Sequence, residues 1–111
     1  MTYSLQELSD RQEIVDLVID YAQAIDQQKF DALDDLFTTD ALIDYTAMGG
    51  PKGGFAEVKK FLVETLPVFK EYFHLNSNIR IHLDGDNAHA RVMCFNPMAI
   101  PQPDAKPHVM Y

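Results

Sequence analysis

The chain has 111 residues, room for one domain and one core, and its 47% hydrophobic content rules out disorder as a whole. A formal net charge of −8 repels phosphate backbones and anionic headgroups, which argues against nucleic acid and membrane surfaces as partners. The single cysteine, Cys94, excludes an internal disulfide or a multi-cysteine metal site, and no stretch approaches the roughly 20 apolar residues that span a bilayer.

The N-terminal residues lack the apolar core of a signal peptide, so a cytoplasmic location is expected. Ser4 with Glu7, and Ser9 with Gln12, both have capping-box spacing, which opens a helix near the N-terminus. Ile14, Leu17, Val18, Tyr21 and Ile25 then form one apolar stripe, and Val15, Ile19 and Ala22 a second beside it. So wide an apolar arc predicts a helix cradled by other elements. Asp31 is expected to cap a short second helix carrying Leu33, Leu36 and Phe37, and Ala41 to Tyr45 reads as a strand.

Met48 to Gly54 is a Gly-rich loop, followed by a third helix through Phe55, Val58, Phe61, Leu62 and Leu66 towards Phe69, with a break or kink near Pro67. Ser77 to Leu83 alternates as a strand, with Ile79, Ile81 and Leu83 on one face and Asn78, Arg80 and His82 on the other. Asp84-Gly85-Asp86-Asn87 marks a hairpin, and the return strand runs from Ala88 to about Asn96. A Pro-rich connector through Pro97, Pro101, Pro103 and Pro107 leads to His108, where another strand begins. This order predicts an α+β fold, with N-terminal helices packed on a curved, mostly antiparallel sheet.

Several motifs fail on inspection. The segment Gly49-Gly50-Pro51-Lys52-Gly53-Gly54 is followed by Phe55 and Ala56, where a phosphate loop needs Lys then Ser or Thr. His74, His82, His89 and His108 lack metal-ligand spacing, and His82 reads as a solvated residue. Cys94, among Val92, Met93 and Phe95, reads as a buried, inert thiol.

Asp26 stands out because it continues the Val15, Ile19, Ala22 stripe. A carboxylate there ends an interior-facing run near a helix C-terminus, where desolvation and the helix dipole both disfavour negative charge. It is either such an interior acid or a solvated residue of the turn into Gln27. Tyr21 lies one turn earlier, and His74 follows the aromatic run Phe69, Tyr72 and Phe73 at the expected end of the third helix. By residue type alone each of these has a structural reading as well as a chemical one.

The pattern Tyr21-Ala22-Gln23-Ala24-Ile25-Asp26, then Phe30-Asp31-Ala32-Leu33 and Leu36 to Ala41, with His74 to Asn78 and Asp84 to Ala88 downstream, resembles the SnoaL-like branch of the NTF2-like superfamily. Relatives there include scytalone dehydratase, bile-acid 7α-dehydratase, ketosteroid isomerase and polyketide cyclases. The resemblance implies one domain over residues 1–111, a cone-shaped α+β barrel with a deep pocket between helices and sheet, and a homodimer. It also implies two further long strands, so the chain is expected to be incomplete at its C-terminus. Tyr21, Asp26 and His74 match the positions that line the pocket in the dehydratases. Tyr45, Met48, Phe55, Phe69 and Phe73 are the expected wall residues, and Asn96 a second polar group where some dehydratases carry an acid or a second His.

The expected chemistry is proton abstraction next to a carbonyl of a hydrophobic, ring-containing substrate. Asp26 orients His74, His74 removes the proton, and Tyr21 donates to the enolate-like oxygen. A dehydratase, isomerase or cyclase follows from such an intermediate, and no cofactor is expected. The rival readings are a non-catalytic small-molecule-binding or dimerisation domain on the same scaffold and, third, an epoxide hydrolase; neither is excluded by the residues themselves.

Overall fold

A computed structural model describes residues 2–69 and 71–100, and the backbone of 108–110. Helix α1 spans Leu5–Asp26. Of the two candidate capping boxes the chain uses Ser4 and Glu7: the Glu7 amide donates to Ser4 Oγ at 3.1 Å, and the Ser4 amide to Glu7 Oε1 at 2.9 Å. Beyond Asp26, Gln28 takes a left-handed φ of 55° and the chain turns into a 3-10 turn at Phe30–Asp35. This turn replaces the expected second helix. Asp31 does not cap it but lies in its first turn, drawn instead with Asp34 to the Lys59 ammonium, at 2.8 and 2.9 Å.

Strand β1, Leu42–Asp44, pairs antiparallel with β2, Lys52–Gly54, inside the segment read as a Gly-rich loop. Gly49 turns the chain between them at a φ of 81°, which glycine adopts without a Cβ clash. Helix α2, Phe55–Thr65, gives way to a 3-10 turn at Leu66–Val68 with Pro67 in its first turn, the break expected of that residue. Because the helix stops there, neither Phe69 nor the stretch Glu71 to His74 is helical. His74 therefore enters β3 from extended chain rather than from a helix C-terminus.

Strands β3, Leu75–Asp84, and β4, Asn87–Phe95, form the long hairpin, and β5, Met98–Ile100, pairs with β6, His108–Met110. The expected connector between them lies, from Pro101 to Pro107, outside the described residues. Among the described residues the strands make three two-stranded antiparallel ladders and do not close a barrel.

The core joins α1, α2 and the 3-10 turns at Phe30–Asp35 and Leu66–Val68 through Ile25, Leu33, Val58, Leu62 and Leu66, with Met98 from β5. Leu33 is 1% and Val58 0% exposed. Each side chain buried this fully contributes about 1.5–3 kcal/mol. Leu17 and Ile19, expected inside, are exposed. At about 100° per residue they fall on either flank of Val18, so α1 buries a narrower arc than its composition implied.

Candidate active site

One irregularity positions the site. From Leu75↔Phe95 to Ser77↔Met93 the paired residues of β3 and β4 are in one register, and from Arg80↔Arg91 to Asp84↔Asn87 they are in another. Asn78 and Ile79 therefore stand opposite Val92 alone, and Asn78 adopts a left-handed φ of 49°. This is a β-bulge, and it switches which parity of β3 faces inward. Before it the even residue Asn76 is half-buried; after it the odd residues turn inward, Ile79 and Leu83 half-buried and Ile81 buried. The bridge Tyr72↔Met98 continues the first register, so His74 stands directly opposite Asn96. Tyr72, His74 and Asn76 on one side, and Met98, Asn96 and Cys94 on the other, thus share the inward face.

Asp26, the last residue of α1, meets this face. Its Oδ2 accepts from the His74 backbone amide at 2.9 Å, and its Oδ1 lies 2.5 Å from His74 Nδ1. One carboxylate clamps both the main chain and the ring of the same residue, and both side chains are mostly buried, at 23% and 11% exposure. Of the two readings of Asp26, the interior acid is the one the geometry adopts. With the proton of the neutral ring on Nδ1, the Nε2 lone pair is left facing away from Asp26.

Tyr21, one turn back on α1, stands edge-on to the His74 ring at 6.4 Å between centroids. Its hydroxyl hydrogen-bonds the Tyr45 hydroxyl. Burial, reinforced by Tyr45, pushes the Tyr21 phenol far above its ordinary value, and burial also raises Tyr45. Both stay protonated at neutral pH. Since one proton lies between the two oxygens, the pair retains a second that it can donate outward.

The aromatic wall is partly as expected. Phe55 stacks on Phe37 at 5.1 Å, and Phe37 meets Tyr21 edge-on at 6.0 Å. Phe37 escaped notice because its helical spacing with Leu33 reads equally well as core. Phe69 packs against the core cluster. Met48, by contrast, is 67% exposed at the end of the 3-10 turn Thr46–Met48, outside the aromatic cluster. Phe73 is one residue out of phase with His74 and lies on the outer face, edge-on to Phe95 at 6.5 Å. It borders a separate cavity of about 490 Å³, which Asp26, Tyr72 and Met98 also line but Tyr21, Tyr45 and His74 do not.

Asn96 Oδ1 is buried and has no hydrogen-bond partner among the described residues. Cys94 is exposed rather than buried, as is nearly all of β4. Partial desolvation and the Asp26 carboxylate raise its thiol, so it stays protonated and a poor nucleophile. The signal that could have found it is alternation: counting back by two from Asn96 reaches Cys94.

A family model for a SnoaL-like domain matches residues 6–111. Uncharacterized proteins of Mycobacterium tuberculosis (Rv2910c) and Mycobacterium bovis (Mb2934c) are each 50% identical over 95 residues, or 86% of this chain and 65% of theirs. The chain thus spans just under two thirds of the length of these curated relatives. Among solved structures, a candidate aromatic ring hydroxylase from Novosphingobium aromaticivorans superposes with a TM-score of 0.76 at 29% identity, covering 83% of this chain and 66% of that one. The protein Kfla4162 of Kribbella flavida superposes with a TM-score of 0.75 at 23% identity, over 84% of this chain and 66% of its own. Helix α1 packed on an antiparallel hairpin, the match of the family model and the agreement of both folds lead to one assignment: the chain belongs to the SnoaL-like domain family of the NTF2-like superfamily.

Proposed function

We propose that this chain is a lyase- or isomerase-type enzyme, a dehydratase or cyclase, that abstracts a proton next to a carbonyl of a hydrophobic, ring-containing substrate. The observation that carries the reading is the two-point clamp of Asp26 on His74. A carboxylate that accepts from Nδ1 orients the ring, leaves the lone pair of the neutral tautomer on Nε2, and stabilises the imidazolium once a proton has been taken, which is the arrangement a general base needs.

His74 Nε2 removes the proton α to the carbonyl, and the electron pair moves onto the carbonyl oxygen. The Tyr21–Tyr45 pair donates its second proton's hydrogen bond to that oxygen as charge develops. The imidazolium, stabilised by Asp26, then returns its proton to a departing hydroxyl in an elimination, or to another carbon in an isomerisation. Phe37 and Phe55 supply a flat apolar wall for a ring, in keeping with the description of the Novosphingobium neighbour as a candidate aromatic ring hydroxylase. The proposal takes residues 1–111 as one domain acting as a cytoplasmic homodimer.

The test is a screen of cyclic hydroxy-ketones for turnover and, separately, for protection of Cys94 from alkylation. Expected are substrates that protect Cys94 in both the wild type and His74→Gln but are turned over only by the wild type. Protection without turnover in either protein would instead identify a non-catalytic binding domain.

A further inference from the structure

On the inward face one polar group is left without a counterpart. Asn96 Oδ1 is buried and has no hydrogen-bond partner among the described residues. The hydroxyl and ring donors around it are committed elsewhere: the His74 amide and ring Nδ1 to Asp26, the Tyr21 and Tyr45 hydroxyls to each other, and the Tyr72 hydroxyl to the Ile25 carbonyl at 2.9 Å. A buried carbonyl oxygen without a donor is destabilising, and a ligand that brings a donor to it recovers that free energy on binding. The ladder sets its place. The register that runs through Tyr72↔Met98 and Leu75↔Phe95 puts Asn96 directly across from His74, and the Cα atoms of such a facing pair lie about 4.5–5.5 Å apart. A donor on Asn96 Oδ1 therefore sits beside the imidazole whose Nε2 faces away from Asp26.

We infer that Asn96 binds the leaving hydroxyl of the substrate, which makes the substrate a β-hydroxy ketone and the reaction an elimination of water; the inference rests on the proton abstraction by His74 proposed above. The carbonyl oxygen meets the Tyr21–Tyr45 pair, the hydroxyl hydrogen meets Asn96 Oδ1, and the carbon between them meets His74 Nε2. With its hydrogen held by Asn96, the hydroxyl keeps a lone pair for the imidazolium. His74 Nε2 takes the α-proton; the C–H pair becomes the enolate double bond, and the carbonyl π pair rests on oxygen. As the carbonyl re-forms, the double bond shifts to join the α- and β-carbons, the C–O bond breaks with its electrons on oxygen, and the Nε2 proton converts that hydroxyl to water. The product is the conjugated enone, the ring is neutral again, and no oxidant or reductant is consumed.

The amide separates this substrate class from its neighbours. An ammonium group also donates, but it has no lone pair to receive the proton and would stand beside the imidazolium. A halide or an ether offers no hydrogen, and a ketone that only isomerises brings none either; each leaves Oδ1 unpaired. Asn96 itself takes up no proton, so removal and return both fall to His74.

The experiment compares 3-hydroxy-5-phenylcyclohexanone with its 3-fluoro and 3-deoxy analogues by calorimetric titration of His74→Gln, which keeps the base out of the reaction. The hydroxy ketone should bind at least about tenfold more tightly than either analogue. The preference should vanish in His74→Gln/Asn96→Leu and persist in His74→Gln/Asn96→Asp, which keeps an oxygen acceptor. A merely structural Asn96 would instead shift all three ligands alike in both double variants, and that result would overturn the inference. The wild type should convert the hydroxy ketone to 5-phenylcyclohex-2-enone, with a kcat/KM that Asn96→Leu lowers by about tenfold or more. Equal binding of the three ligands, or isomerisation of 5-phenylcyclohex-3-enone by the wild type without dehydration of the hydroxy ketone, would overturn the inference and leave proton abstraction by His74 standing. Turnover of neither compound by the wild type would overturn both.

Discussion

The two faces of the β3–β4 hairpin are built from the same two strands and have opposite characters. The inward face carries His74, Asn76, Ile79, Ile81 and Leu83, and meets α1 through the Asp26 clamp and through Arg11, whose guanidinium donates to the Ile81 carbonyl at 3.3 Å. The outward face is exposed at every pair from Leu75↔Phe95 to Asp84↔Asn87. A regular strand cannot put both His74 and Ile81 inside, because they differ in parity. A single extra residue reconciles them, so the polar site and the apolar support share a face only because of Asn78.

Deleting Asn78 should therefore have the largest effect. Without the bulge, either His74 leaves Asp26 or Ile79, Ile81 and Leu83 turn outward. Full exposure of three such side chains costs about 1.5–3 kcal/mol each, and even partial exposure rivals the total stability of about 5–15 kcal/mol of a small domain. The deletion variant should fail to show a cooperative unfolding transition. Asn78→Gly, which adopts the same positive φ freely, should stay within about 1 kcal/mol of the wild type in urea denaturation. If the deletion variant unfolds like the wild type, the parity switch does not hold the hairpin.

Next in size is the clamp. Asp26→Asn keeps the shape but loses one acceptor, and should reduce stability by about 1.5–3 kcal/mol, the range for hydrogen bonds to charged groups. It should also move the proton of the neutral His74 ring from Nδ1 towards Nε2, visible in long-range ¹H–¹⁵N NMR correlations. Under the proposed chemistry, turnover should fall by about 10²–10⁴. A stability loss with an unchanged tautomer would reduce Asp26 to a main-chain cap for His74.

Much of this was legible in the sequence, and the reasons for the gaps are physical. Ser4 and Glu7, the 3.6-residue stripe of α1, Pro67 and the Asp84–Asn87 turn are local signals, and each produced the element expected of it. The Asp26–His74 pairing could be named because a carboxylate at the end of an apolar stripe is an anomaly at short range, and the family resemblance supplied its partner. The bulge could not be read from Asn78, because a left-handed asparagine costs little in isolation and only the competing demands of His74 and Ile81 require it. The same blindness misplaced Phe73, whose inward assignment needed the register of a strand beginning two residues before the expected one. Strands β2 and β5 were missed because a glycine pair and a Pro-flanked segment become strands only through their partners.

The tyrosine pair makes a smaller, pH-dependent contribution. Both phenols are raised above 10, the ordinary value, by burial, so the folded state binds their protons more tightly than the unfolded state does. The associated stability is fully present below pH 10 and is lost as the pH rises beyond it. Denaturation midpoints should be flat in this respect to about pH 10 and then fall, with the 295-nm phenolate absorbance of the folded protein lagging behind that of the unfolded chain. Tyr45→Phe should cost about 0.5–1.5 kcal/mol at neutral pH. It should leave most of the alkaline lag of Tyr21 in place, because burial rather than the partner hydroxyl is the leading cause.

The outward face should give the smallest effect on stability, and one of opposite sign. Among the described residues neither Arg80 nor Arg91 has an ion-pair partner, and they face each other as a like-charged pair. Arg91→Glu places a carboxylate opposite Arg80 and should raise stability by about 0.2–1 kcal/mol, the range for a favourable cross-strand pair. The R80E/R91E variant, with like charges restored, should return to within about 0.5 kcal/mol of the wild type. A thermodynamic cycle over the four proteins isolates the pair, and its coupling should shrink as salt rises. If the coupling is zero at low salt, the two guanidinium groups already avoid each other at no cost. If it is favourable to separate them, the protein carries a small, measurable penalty on one face of a hairpin whose other face holds the Asp26–His74 pair, so the two faces of the same two strands answer to different demands.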